Sequence, residues 1–165
     1  MPSRHVKLDQ IDRKILRDLQ DDGRMTNVEL ARRAGISAPP CLRRVRALEE
    51  ADYIRGYHAE LNSEQMGYEV AFYALVGLDS QSEAVLTAFE RMFGEWPEVR
   101  ECHMIRGGGD FMLLMVARNT AHENALTTRL TGAPNVSNVT TFQIIRSAKR
   151  LPGVPVDEPE DEAAS

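Results

Sequence analysis

Cysteine is scarce in this chain of 165 residues: there are two, Cys41 and Cys102. Neither belongs to a Cys-x-x-Cys pair, which argues against a disulfide framework and against a zinc site. No run of eighteen apolar residues occurs, so no membrane-spanning helix is expected. The N-terminal stretch MPSRHVK has no apolar signal core, and a soluble cytoplasmic protein is expected. Paired carboxylates and a nucleophile–base set are also missing, so the sequence supports no catalysis. His5, His58 and His122 form no ligand spacing with Cys41, and His103 beside Cys102 reads as structural. Neither a metal nor a cofactor is expected.

Charge of one sign is unevenly placed. The chain carries 20 Lys/Arg and 25 Asp/Glu, a net of −5. Residues 1–58 hold twelve basic against nine acidic side chains, and residues 59–165 hold eight against sixteen. The basic first part is suited to nucleic acid, and the acidic remainder steers that face while lowering non-specific binding. The basic excess is small, which favours an assembly that presents two copies.

The residues between Thr26 and Glu49 predict two short helices broken at Gly35. Thr26 caps the first helix, and Glu29 three residues later completes a capping box. Leu30, Ala31 and Ala34 form its apolar face. Gly35 supplies the positive φ of a sharp helix ending, Ile36 plugs the corner and Ser37 caps the second helix. Pro39 and Pro40 fall in a first turn, where a missing N–H matters little. On the second helix Leu42, Val45 and Leu48 are expected inward. Pro39, Pro40, Arg43, Arg46 and Ala47 point away or to the side, with Arg44 on the other flank. This is the pattern of a helix laid in the DNA major groove, with Ser37, Pro39, Pro40, Arg43, Arg44 and Arg46 as DNA-binding candidates. The plainer reading is that the arginines solvate an exposed face.

A first helix is expected over 8–22, capped by Asp9, with Ile11, Ile15, Leu16 and Leu19 as its stripe. Residues 53–61 read as a short strand pair or extended arm, a wing-like element. Residues 1–61 thus form a winged helix-turn-helix domain and 62–67 a linker. Residues 68–150 alternate as strand 70–78, helix 82–93, strand 99–105, strand 111–117, helix 120–130 and strand 139–145. Thr120 with Glu123 reads as a second capping box. The order βαββαβ is ferredoxin-like, so the chain is α+β. Residues 151–165 are an acidic, proline-containing tail expected to be disordered.

Two strands are apolar on both faces. Phe72, Ala74, Val76 and Leu78 oppose Ala71, Tyr73, Leu75 and Gly77, and Phe111, Leu113 and Met115 oppose Met112, Leu114 and Val116. Two helices cover only one side of such a sheet, so a homodimer through the other side is expected.

With these segments placed, the chain resembles the Lrp/AsnC family of transcription factors over about residues 8–150. The carrying segments are LDQIDRKIL at 8–16, DGRMTNVELA at 22–31, PCLRRVRALE at 40–49, IRGY at 54–57 and VRECHMIRG at 99–107. The resemblance implies an N-terminal winged helix-turn-helix that binds double-stranded DNA. It also implies a C-terminal domain that binds an amino acid or related metabolite, and dimers that join into octamers or other assemblies. The family's effector loop reads Gly-Asp-x-Asp; here it is Gly107, Gly108, Gly109 and Asp110, so the inner Asp is replaced. By family position Phe142, Gln143 and Ile144 complete the pocket from a neighbouring subunit, though they read equally as sheet core or interface.

The loop has a chemical sense of its own. Three glycines let backbone N–H groups turn inward as an anion nest for a carboxylate, Asp110 suits an ammonium and Arg106 adds charge. An amino acid carries both charges at that spacing, while the plainer reading is a flexible hairpin turn. The leading function is a sequence-specific transcription regulator that senses an amino acid. The alternatives are a nucleoid-organising protein without effector response, favoured by Gly108 and Gly109, and a small enzyme related to a tetrapyrrole-modifying branch, with Arg106 and His103 as its candidates.

Overall fold

The computed structural model describes residues 7–156. Among these, residues 7–60 with 149–156 form one unit and 61–148 a second.

The first unit holds α1 (Gln10–Asp21), α2 (Asn27–Ala34) and α3 (Ala38–Glu50). The full capping box belongs to α1. Asp9 accepts from the Asp12 N–H at 2.8 Å, and Asp12 accepts from the Asp9 N–H at 3.1 Å. On α2 only half of the expected box forms: Thr26 Oγ1 accepts from the Glu29 N–H at 3.3 Å. The Glu29 carboxylate instead meets Arg32 Nη2 at 2.6 Å and Arg33 Nε at 2.9 Å. Charge-assisted bonds one turn away outcompete a neutral backbone donor. Gly35 ends α2 at φ 74° as expected, and the Ile36 N–H closes back on the Ala31 carbonyl at 3.0 Å.

Ile15, Leu30, Ala31, Ala34, Cys41 and Leu48 form the buried core of this unit. The expected inward position of Leu42 is corrected: Cys41 is 0% exposed and Leu42 is 39% exposed. The inward ladder of α3 runs Ala38, Cys41, Val45, Leu48. Beside the small Ala31 and Ala34, a thiol fits a close helix crossing where a leucine would be too large.

Residues 54–62 form no strand, so the wing takes the form of an arm. Tyr53 and Ile54 bind the Leu48 carbonyl through their N–H groups and pack on the helical core. Tyr57 Oη donates to Glu49 Oε1 at 2.9 Å. Burial, then that carboxylate, push the phenol up to about 12, so it stays a donor. Residues 151–156 return to α1. Gln20 Nε2 donates to the Val154 carbonyl at 2.8 Å, and the Val154 N–H donates to Gln20 Oε1 at 3.2 Å. Arg17 Nη2 donates to the Val156 carbonyl at 3.1 Å. The expected tail therefore begins with a docked strap, and its remainder, 157–165, lies outside the described residues.

The second unit runs β1 (Val70–Leu78), α4 (Glu83–Gly94), β2 (Val99–Met104), β3 (Phe111–Ala117), α5 (Thr120–Thr131) and β4 (Val136–Gln143). The sheet order is β2-β3-β1-β4 with every pair antiparallel. This is the expected ferredoxin-like arrangement. The cap of α5 is Asn119, one residue before the expected Thr120: its Oδ1 accepts from the His122 N–H at 2.9 Å. β4 starts three residues earlier than 139, because Asn135 turns at φ 62° and Val136 already pairs with Leu78. Phe72, Ala74, Val76, Phe111, Leu113 and Met115 are buried on the face packed against Phe89, Phe93, Leu126 and Leu130 of the two helices.

Candidate nucleic-acid interface and ligand loop

Each residue of α3 turns about 100° from the last. Pro39, Leu42, Arg43, Arg46 and Ala47 are exposed and share one broad face, while Pro40 and Arg44 are half-buried at its margin. Ser37 occupies the N-cap position and is exposed, yet its hydroxyl makes no capping bond. The N–H groups that a cap would take belong to the second and third helical positions. Here those are Pro39 and Pro40, which have none. The helix start is held instead by Asn27, whose Nδ2 donates to the Ala38 carbonyl at 2.8 Å. The Ser37 hydroxyl is thereby left for an outside acceptor.

The three arginines separate into two kinds. Arg43 and Arg46 are exposed and make no ion pair among the described residues. Arg44 turns back to α1: its Nη1 lies 2.7 Å from Asp12 Oδ1 and 2.8 Å from Asp9 Oδ2. Those bonds, Asp12 first, raise the guanidinium further above its ordinary range. Burial raises the Asp9 carboxyl, but the Asp12 N–H and Arg44 outweigh it and hold Asp9 low. Arg44, expected as an open flank contact, is thus the tie between the recognition helix and the capping box of α1. On α2, hydrogen bonds from Arg32 and then Arg33 lower the Glu29 carboxyl to about 2.

In the second unit the glycine loop is built around Asp110. Its Oδ2 accepts from the Leu78 N–H at 2.7 Å and its Oδ1 from Gln81 Nε2 at 2.8 Å. The Asp110 N–H reaches the Val76 carbonyl at 2.8 Å, and its carbonyl accepts from the Ile105 N–H at 2.9 Å. Asp110 therefore clamps the start of β3 to the end of β1, a role the expected ammonium contact did not include. Gln81 was missed because its partner lies 29 residues away and no local spacing links them. Gly107 sits at φ 149°, and a Cβ on Gly109 would come 2.7 Å from Leu75 Cδ1 and 3.0 Å from the Val76 carbonyl. Around Gly107 and Gly108 the space is open, and Arg106 is exposed beside them.

Phe142, Gln143 and Ile144 are not brought to this loop within one chain. Phe142 pairs with Tyr73 and Gln143 with Phe72, whereas the loop binds at Val76 and Leu78. Four residues of strand separate Phe72 from Val76, about 13 Å. Phe142 is 51% exposed and Tyr73 39% exposed on the sheet face that no helix covers, beside half-buried Leu75, Met112, Leu114 and Val116. His103 pairs with Glu101 at 3.1 Å, and His122 Nδ1 accepts from the Arg118 N–H at 3.2 Å. Burial raises the thiols of Cys41 and Cys102, which disfavours reactivity.

Comparison with known proteins finds a family match in each unit. Residues 8–55 match the description "Winged helix-turn-helix DNA-binding", and residues 71–154 match "Lrp/AsnC ligand binding domain". The chain belongs to the Lrp/AsnC family. It is a transcriptional regulator with a DNA-binding helix-turn-helix and a ligand-binding domain. It is 54% identical over 145 residues to the leucine-responsive regulatory protein of Rhizobium meliloti, covering 87% of this chain and 93% of that one. It is 39% identical over 143 residues to the Bkd operon transcriptional regulator of Pseudomonas aeruginosa, covering 86% and 94%. Among solved structures, a transcriptional regulator from Neisseria meningitidis in complex with L-Met superposes with a TM-score of 0.86 at 29% identity, covering 91% and 97%. An AsnC family regulator from Agrobacterium tumefaciens gives 0.84 at 30%, covering 90% and 97%. No helix among the described residues of this Lrp/AsnC protein is long and apolar enough to cross a membrane.

Proposed function

We propose that this Lrp/AsnC regulator reads its operator with the exposed face of α3 while responding to an amino acid. Arg43 and Arg46 hold base edges or phosphates, the Ser37 hydroxyl takes a phosphate, and Pro39 and Pro40 let the helix start approach the duplex closely. Arg44 sets the pitch of the helix through Asp9 and Asp12. The single observation that carries this reading is the separation of the arginines: two are open on one face and the third is tied inward.

The working unit is a homodimer through the open sheet face, able to assemble further. A second copy supplies Phe142, Gln143 and Ile144 to the Arg106–Gly109 loop, with loop N–H groups and Arg106 for the effector carboxylate. The L-Met complex of the Neisseria relative supports an amino acid as that effector.

Replacing Arg43 and Arg46 together by Ala tests the DNA-reading face. Fluorescence anisotropy on a duplex selected from a random pool is expected to show at least about a hundredfold weaker binding, and a shallower salt dependence, with the melting temperature unchanged. Unchanged binding rejects the assignment. A thermal-shift screen of the twenty amino acids is expected to raise the melting temperature with at least one of them. Twenty null results reject amino-acid sensing and leave a DNA-organising protein.

A further inference from the structure

Leu42 is the one large apolar side chain exposed on α3. It stands one turn after Pro39 and one turn before Arg46, with Arg43 beside it, all exposed. Single exposed leucines are ordinary on protein surfaces. This one lies within the face whose other members are Pro39, the small Ala47 and two cations that make no ion pair among the described residues.

Only one base presents a methyl group in the major groove: thymine, at C5. A leucine carried into the groove by the two flanking guanidiniums meets either that methyl or a polar edge it cannot satisfy. Pro39 and Pro40 favour the close approach such contact needs, since they bring no N–H to be desolvated at the helix start. We infer that Leu42 is a specificity-determining residue, packing against a thymine C5 methyl in each half of the operator. The inference rests on α3 being the DNA-reading helix and adds the kind of base that the helix selects. Arg43 and Arg46 then supply affinity and guanine or phosphate contacts, and Leu42 supplies discrimination for an A·T pair at one step.

The test uses the full-length protein and a duplex selected by it from a random pool. Each thymine is replaced in turn by deoxyuracil, which keeps every hydrogen-bonding atom and removes only the methyl. The wild-type protein is expected to lose about fourfold in affinity at one thymine of each half-site. Leu42→Ala is expected to bind the thymine duplex more weakly by a similar factor and to become indifferent to deoxyuracil at that position. Leu42→Met is expected to regain the discrimination. Leu42 is 39% exposed, so Leu42→Ala should lower the melting temperature little, and if it lowers it further Leu42→Gln, which keeps the bulk and is polar, takes its place and should be equally indifferent to deoxyuracil. If deoxyuracil is harmless at every position while Arg43→Ala with Arg46→Ala still abolishes binding, Leu42 does not read thymine though the helix reads DNA. If that double variant binds normally, the helix assignment and this inference fall together.

Discussion

A methyl group added at Gly109 has nowhere to go. It would meet the Leu75 side chain and the Val76 carbonyl inside ordinary contact distance, and the carbonyl belongs to a paired central strand that does not give way. Gly109→Ala is therefore expected to destabilise the protein by about 1–3 kcal/mol, seen as a drop of several degrees in a calorimetric melt. Gly108 has no neighbour within 4 Å of its absent Cβ and no positive φ, so Gly108→Asp should leave the melt unmoved. The two glycines look alike in the sequence. Their difference comes from what lies across the turn, which local spacing cannot report. Asp110 teaches the same lesson: a side chain read as a ligand contact also holds Leu78 and Gln81, some thirty residues earlier.

Helix ends and stripes were largely legible because capping and periodicity are local. Asp9, Thr26 and Gly35 do what their residue types dictate. The errors fell where a competitor, a missing donor or a packing distance intervened, the missing donor being the N–H that Pro39 and Pro40 deny Ser37. Glu29 left its box for Arg32 and Arg33, and Leu42 yielded the inward place to Cys41. The strap over α1 was not legible, since composition alone reads 151–156 as tail. Gly153 at φ 63° lies against the Gln20 amide, and a side chain at 153 would displace it. Gln20→Ala removes both bonds to Val154 and is expected to lower the melting temperature of the helical unit by a few degrees. Ending the chain after Ala148 should do the same, and adding Gln20→Ala to that shortened chain should change nothing more.

The largest question is what covers the sheet. Tyr73 pairs with Leu114 on one side and Phe142 on the other, making an apolar row across three strands that no helix shields. Exposed rows of this kind mark association surfaces. Leu114→Glu places a charge at the centre of that row, and light scattering should then report a monomer with unchanged far-ultraviolet circular dichroism. Persistence of the wild-type mass would place the subunit contact elsewhere. Loss of the amino-acid thermal shift in the same variant is expected too, because Phe142–Ile144 and the glycine loop stand at opposite ends of β1 in one chain.

By itself the sequence determined the fold class, the helix-turn-helix with its arginine-bearing helix, and the strands with two apolar faces. Those depend on periodicity, capping and backbone preference, all expressed within a few residues. Only the tertiary structure decided which arginine is tied inward, which apolar residue of α3 stays outside, and what Asp110 holds. Such outcomes turn on the distance between elements remote in the chain, and a difference of one side chain's volume or one carboxylate's reach reverses them.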